Sequence, residues 1–163
     1  MSTDPKPAVT GENASPADSP GAARADSQPR TLEGAVRVAL LYKRHAPLDE
    51  LLLNVLEKEL LSHGYSPFID RRRATGMEWA RELERQIRTA DAVVPLLSAA
   101  SVENEMFAFE VEIANESALK QNHRPQLLPL RVAYDGPLPE CLSGYGQTAH
   151  SLDWRGPADN DRI

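Results

Sequence analysis

From Ala35 onward the chain switches between two textures, and this alternation limits its fold more than any other feature. VRVALLY (Val36–Tyr42) is a short apolar run rich in β-formers and reads as a buried strand. Leu48, Leu51, Leu52, Val55, Leu56 and Leu60 then recur at helical spacing until Gly64 stops them. SPFID (Ser66–Asp70) predicts a second strand, followed by the loop RRRATG and a helix carrying Trp79, Leu83 and Ile87. AVVPLL (Ala92–Leu97) predicts a third strand, and NEMFAFEVEIA opens the next helix. QLLPLRV (Gln126–Val132) predicts a fourth strand and Ala149–Trp154 a short fifth. Strands alternating with helices build a parallel sheet covered on both faces.

The expected architecture is therefore α/β: a flavodoxin-like, five-stranded parallel sheet in the order 2-1-3-4-5, with helices on both faces. It is expected to span residues 34–155. Residues 1–33 are rich in Pro, Ala, Ser and Asp without apolar periodicity, which predicts a disordered arm. Residues 156–163 read as a C-terminal tail. No apolar run approaches membrane-spanning length, and the acidic, proline-bearing N-terminus is unlike a signal peptide. A single cysteine, Cys141, excludes an internal disulfide, and the histidines at 45, 63, 123 and 150 lack metal-ligand spacing. A net charge of −6 argues against general nucleic-acid binding. The expectations are a cytoplasmic location, no membrane contact, no direct nucleic-acid partner and no metal.

In an open parallel sheet, ligands bind beyond the carboxyl ends of the strands, where strand order reverses. Lys43, Arg44 and His45 follow strand one; Asp70 and Arg71 to Arg73 follow strand two; Ser98 and Ser101 follow strand three. This cationic rim suits a phosphate-bearing ligand. A phosphate-binding GxxxxGK[ST] loop, a GxGxxG fingerprint and a GxSxG elbow are all missing, and the acidic residues of a phospho-acceptor domain are replaced by Lys43-Arg44 and Leu97-Ser98.

Within NEMFAFEVEIA two glutamates lie two residues apart. At about 100° per residue, Met106, Phe107, Phe109, Val111, Ile113, Ala114 and Ala118 cover one broad apolar arc. Glu112 falls opposite, on the solvent side. Glu110 falls inside the arc, between Met106 and Ala114. From residues alone, Glu110 fits either a charge at the rim of the core or a site carboxylate. Lys43 and Arg44 fit either solvated loop residues or phosphate contacts, Trp79 packs the start of its helix or walls a ligand surface, and Asp70 braces the loop after strand two.

Taken in order, these stretches resemble the TIR (Toll/interleukin-1 receptor) domains, particularly the bacterial NAD-cleaving type, over roughly Val36 to Val132. VALLYKRH resembles the first TIR box; FIDRRRATGMEW resembles strand two with its BB loop; VVPLLSAAS resembles the strand ending Leu-Ser-x-x-Ser. NEMFAFEVEIA resembles the Ser-x-Trp-Cys-x-x-Glu-Leu helix, with Glu110 at the glutamate position and Met106 where an aromatic usually stands. The first box ends Leu41-Tyr42 in place of Ser-Tyr.

The resemblance implies cleavage of the nicotinamide–ribose bond of NAD+, with NAD+ as substrate, no cofactor, and Glu110 as the catalytic carboxylate. It implies Tyr42, Lys43, Arg44, Arg73, Trp79, Ser98 and Met106 as residues around the substrate. It also implies self-association through TIR–TIR contacts, a sensor domain or separate activating partner, and a setting in bacterial immunity or signalling. Met106 and Leu41 make a non-catalytic TIR–TIR scaffold the alternative.

Overall fold

The computed structural model describes residues 34–71, 76–145 and 152–163. Its elements run β1 (Arg37–Leu41), α1 (Pro47–Ser62), β2 (Ser66–Ile69), α2 (Met77–Thr89), β3 (Ala92–Leu97), α3 (Ala99–Val102) and α4 (Glu105–Lys120). Then come β4 (Gln126–Leu127), β5 (Leu130–Val132), a 3-10 turn (Glu140–Tyr145), β6 (Leu152–Trp154) and a second 3-10 turn (Pro157–Arg162). Every strand pairing is parallel, in the order β2-β1-β3-β5-β6, with β4 also on β3.

Among the described residues six strands appear where five were expected, because the run Gln126–Val132 is interrupted. Its register on β3 is the same either side of the break: Val93 faces Leu127 and Leu96 faces Leu130. That constant offset carries Pro95 to Pro129, and neither proline has an N–H to give the ladder. One strand thus becomes β4 and β5, and the order 2-1-3-4-5 holds when they are taken together. Of the expected strand Ala149–Trp154, residues 149–151 lie outside the described residues, as do 1–33 of the predicted arm.

Successive residues of a strand point to opposite faces, and the chain uses both. Ala39, Leu41, Val93 and Leu97 face α2 and α4, meeting Leu83, Ile87, Phe107, Val111, Ala114 and Ala118. Val38, Leu40, Leu96, Leu130, Val132 and Trp154 form the other core with Leu52, Leu53 and Leu56 of α1. At residues 156–163 the second 3-10 turn closes on this core: the Trp154 indole donates to Asn160 Oδ1 at 2.9 Å, and Ile163 packs against the cluster.

Helix ends follow local chemistry. Pro47 opens α1, Gly64 follows its end with φ 80°, and Asn104 caps α4 by accepting the Phe107 N–H at 3.0 Å. On α4 the apolar arc is narrower than the sequence pattern implies. Phe107, Val111, Ile113, Ala114 and Ala118 are buried, whereas Met106 and Phe109 are 46% and 54% exposed. Met106 meets solvent because the N-terminal half of the helix reaches the rim of the sheet, whereas Ile113, two turns later on that face, is buried. Phe109 lies at the edge of the arc, on the side where Glu116 is exposed two turns on.

Candidate functional site

Chain order reverses between β1 and β3, since β2 lies on one side of β1 and β3 on the other. The crevice beyond their carboxyl ends is bounded by the β1–α1 loop, the end of β2, the start of α2 and the N-terminal half of α4.

Asp70, immediately after β2, ties these pieces together. Its Oδ2 accepts the Trp79 indole N–H at 3.1 Å and lies 3.8 Å from the Arg44 guanidinium. Its backbone carbonyl lies 3.5 Å from the Tyr42 hydroxyl. Trp79 sits in the first turn of α2, half-buried, with its ring against the α2–α4 core. Gly76 precedes that helix at φ 119°, a backbone conformation that favours glycine.

Glu110 projects from α4 into this neighbourhood. Its carboxyl is half-buried, and among the described residues no hydrogen bond to it is formed. Burial pushes it up to about 7; the Asp70 charge pushes the same way, and the Arg44 guanidinium pulls back. Two turns along the same face, Ser117 is buried and bonded to the Ile113 carbonyl and to Arg88. The face that is closed at Ser117 is open at Glu110. Glu112 is exposed on the other side.

The β1–α1 loop is held from below by α1. Asp49, fully buried, accepts the Lys43 backbone N–H at 3.0 Å, and Glu50 accepts the His45 N–H at 2.9 Å. His45 takes a positive φ of 64° in the resulting turn. Burial raises the Asp49 carboxyl above its ordinary range, while the Ser98 hydroxyl and the Lys43 N–H draw it part of the way back. Its second oxygen, Oδ1, is buried without a well-formed hydrogen bond among the described residues.

Tyr42, Arg44, Trp79 and Glu110 therefore converge around Asp70, and Met106 stands exposed one turn before Glu110. Burial also raises the Tyr42 hydroxyl above its ordinary range. Lys43 enters through its backbone. Ser98 lies beneath the surface, exchanging hydrogen bonds with Ser101 (Ser101 N–H to Ser98 Oγ, 3.1 Å; Ser98 N–H to Ser101 Oγ, 2.8 Å) as the cap of α3. Arg71 is turned to α1, 2.6 Å from Glu57. Arg73 lies outside the described residues, with Arg72, Ala74 and Thr75. Asp49 was not legible as a site residue, because an acid in the first turn of a helix is ordinary. No group of His, Cys, Asp or Glu suited to a metal occurs among the described residues, and no helix there is long and apolar enough to cross a membrane.

A doubly wound parallel sheet with helices on both faces defines a flavodoxin-like α/β protein. The family model for the TIR domain matches residues 38–163, and the chain belongs to the TIR-domain family. The fold is similar to the TIR domain of the Toll-related receptor TRR-2 from Hydra magnipapillata, with a TM-score of 0.54 and 21% identity over 76% of this chain and 86% of that one. It is also similar to the CMP N-glycosidase BcmB of Clostridium botulinum, with a TM-score of 0.50 and 14% identity over 74% of this chain and 89% of that one. The TIR domains of the activated Roq1 resistosome align with a TM-score of 0.49 and 16% identity over 60% of this chain and 57% of that one. No curated protein sequence matches the chain.

Proposed function

We propose that this TIR domain is an NAD+ nucleosidase that cleaves the nicotinamide–ribose bond, activated by self-association as the effector part of a bacterial immune or signalling system. The observation that carries this reading is Glu110: a carboxyl without a described hydrogen-bond partner, half-buried at the crevice and pushed up to about 7. A carboxyl that only had to be soluble gains nothing from that position. The fold it shares with a CMP N-glycosidase is compatible with cleavage of an N-glycosidic bond.

The chemistry needs little else. The C1′–N bond of the nicotinamide riboside breaks with its electron pair leaving on nicotinamide, which departs neutral because it was cationic. Positive charge moves onto the ribose, giving an oxocarbenium-like state as in glycoside hydrolysis. Ionised Glu110 stabilises that charge, more strongly in a partly dry site than in water. Water then adds at C1′ and yields its proton to Glu110 or solvent, giving ADP-ribose; internal attack gives a cyclic product. On this reading Arg44 is the phosphate contact, and Trp79 with Tyr42 forms the wall.

Incubation of the concentrated protein with NAD+ and measurement of free nicotinamide tests the reading, with Glu110→Gln as control. Release by wild type and not by the variant supports it; no release from artificially clustered protein sinks it. The alternative, a TIR–TIR scaffold without turnover, draws on the exposure of Met106 and Phe109, which gives the rim an adhesive apolar border.

Self-association is expected to raise activity per molecule, because a neighbouring protomer covering this rim excludes water from Glu110. Specific activity measured across a wide concentration range checks it, and a flat profile from a monomeric, active sample overturns it.

A further inference from the structure

α1 begins without an ordinary cap. Its N-cap position is Ala46, which has no side-chain oxygen to offer the first turn. The acids of that turn, Asp49 and Glu50, reach back into the β1–α1 loop instead. A capping acid ordinarily reaches only as far as the N-cap N–H. These two go past it. Asp49 accepts the Lys43 N–H at 3.0 Å, and Glu50 accepts the His45 N–H at 2.9 Å. The N–H groups so held are those on either side of Arg44. A further bond, from the Ala46 N–H to the Lys43 carbonyl at 3.3 Å, closes the turn. Within it His45 keeps a φ of 64°, a left-handed conformation uncommon outside glycine. Of the two acids, Asp49 is fully buried and Glu50 is exposed.

We infer that Glu50 is a positioning residue for phosphate recognition: with Asp49 it brackets Arg44, fixing the backbone from which that guanidinium reaches the crevice, so that the site selects phosphate-bearing N-ribosides over the phosphate-free nucleoside. A long side chain is aimed by the peptide that carries it, and a peptide fixed in advance lowers the ordering cost of binding. A guanidinium carries five N–H donors and can serve a carboxylate and a phosphate together. Glu50 has two opposed effects on such a ligand. Its charge repels a phosphate, while its bond to His45 places the cation that attracts one. Glutamine removes the charge and keeps the acceptor oxygen; alanine removes both. The inference rests on the proposed reading in taking Arg44 as the phosphate contact, but it needs no turnover.

Binding of ADP-ribose to the full chain, followed by calorimetry, tests it, with adenosine as the phosphate-free comparison. Glu50→Ala should weaken ADP-ribose by roughly fivefold, the net effect of about one hydrogen bond, and leave adenosine unchanged. Glu50→Gln should bind ADP-ribose as tightly as wild type, or more tightly. In turnover, Glu50→Ala should raise the KM for NAD+ by the same factor at unchanged kcat, with no change for nicotinamide riboside. Equal ADP-ribose affinity in Glu50→Ala and wild type overturns the inference. So does a Glu50→Gln variant as weak as Glu50→Ala, an equal loss of adenosine, or a wild type that binds no ADP-ribose. Weakened ADP-ribose binding in Glu50→Ala, without NAD+ cleavage by wild type, retains this inference and removes the nucleosidase. Cleavage with an unmoved ADP-ribose affinity does the reverse.

Discussion

Asp49 and Glu110 are both acids removed from full solvent, and burial raises both above their ordinary range. They lie at the same end of the sheet, yet their surroundings differ in kind. Asp49 is fully buried, accepts the Lys43 N–H and lies against the Ser98 hydroxyl, so its charge has neutral donors arranged for it. Glu110 is only half-buried and has no described hydrogen-bond donor; after burial itself, what acts on it is two charges, Asp70 and Arg44. Donors supplied by the fold make an acid structural. An acid left to other charges at an open rim is available to a ligand.

The sharpest break between the two is in activity. Glu110→Gln should leave the fold intact and lower NAD+ cleavage by on the order of 100-fold or more, the usual cost of removing an electrostatic stabiliser. Measured turnover equal to wild type ends the proposed mechanism. Asp49→Ala should show the opposite profile. It orphans the Lys43 N–H and unpins the loop bearing Arg44, which should cost roughly 2–3 kcal/mol in denaturant unfolding. Any activity loss should then track the loop rather than the chemistry. Unchanged stability in Asp49→Ala would mean that the loop holds itself.

Stability against pH separates them more finely. The folded state holds the Glu110 proton up to about 7, whereas the unfolded chain releases it near 4.5. Below 4.5 both states are protonated and Glu110 costs nothing. As pH rises through that window the native state must keep the proton or bear an unfavourable charge, and stability is lost until the folded value is passed. Glu110→Gln should therefore match wild type in acid and exceed it above pH 7 by about 1–2 kcal/mol, allowing for the water that still reaches the carboxyl. Paired thermal melts across pH read this directly, and a difference that grows toward acid contradicts it. The kcat/KM of the enzyme should rise through the same region, because the ionised carboxyl is the working form. Smallest of all, Glu112→Gln should change stability by less than about 0.5 kcal/mol and leave activity unaltered, as a solvent-facing substitution.

The sheet was legible because strands buried on both faces read as short continuous apolar runs, set between stretches of helical periodicity. What escaped had local causes. Pro95 was visible in its run, but that it faces Pro129 across the ladder is a fact of register. Ser98-Ala99-Ala100-Ser101 caps a helix of only four residues, α3, too short for periodicity to declare. Glu110 was legible because a helical wheel places it among apolar residues. Met106 was not, since the wheel gives direction around the axis and says nothing of where along the helix the cover ends; Phe109 lies at the edge of the arc, in line with exposed Glu116. Trp79 and Asp70 are each readable singly. Their 3.1 Å contact closes across nine residues of chain and needs the loop between them.

The facing prolines have a consequence for how the molecule breathes. With the ladder interrupted at Pro95 and Pro129, β5 and β6 are joined to the end of β3 by fewer shared bonds than an unbroken strand would provide. Cooperative opening follows such seams. The β5–β6 edge, with Trp154 and the closing turn at Pro157–Arg162, should exchange its amide hydrogens as a unit, ahead of β1 and the first half of β3. The Asp70–Glu110 crevice sits on the slower side of that seam, so excursions at the far edge can proceed while the two carboxyls keep their places.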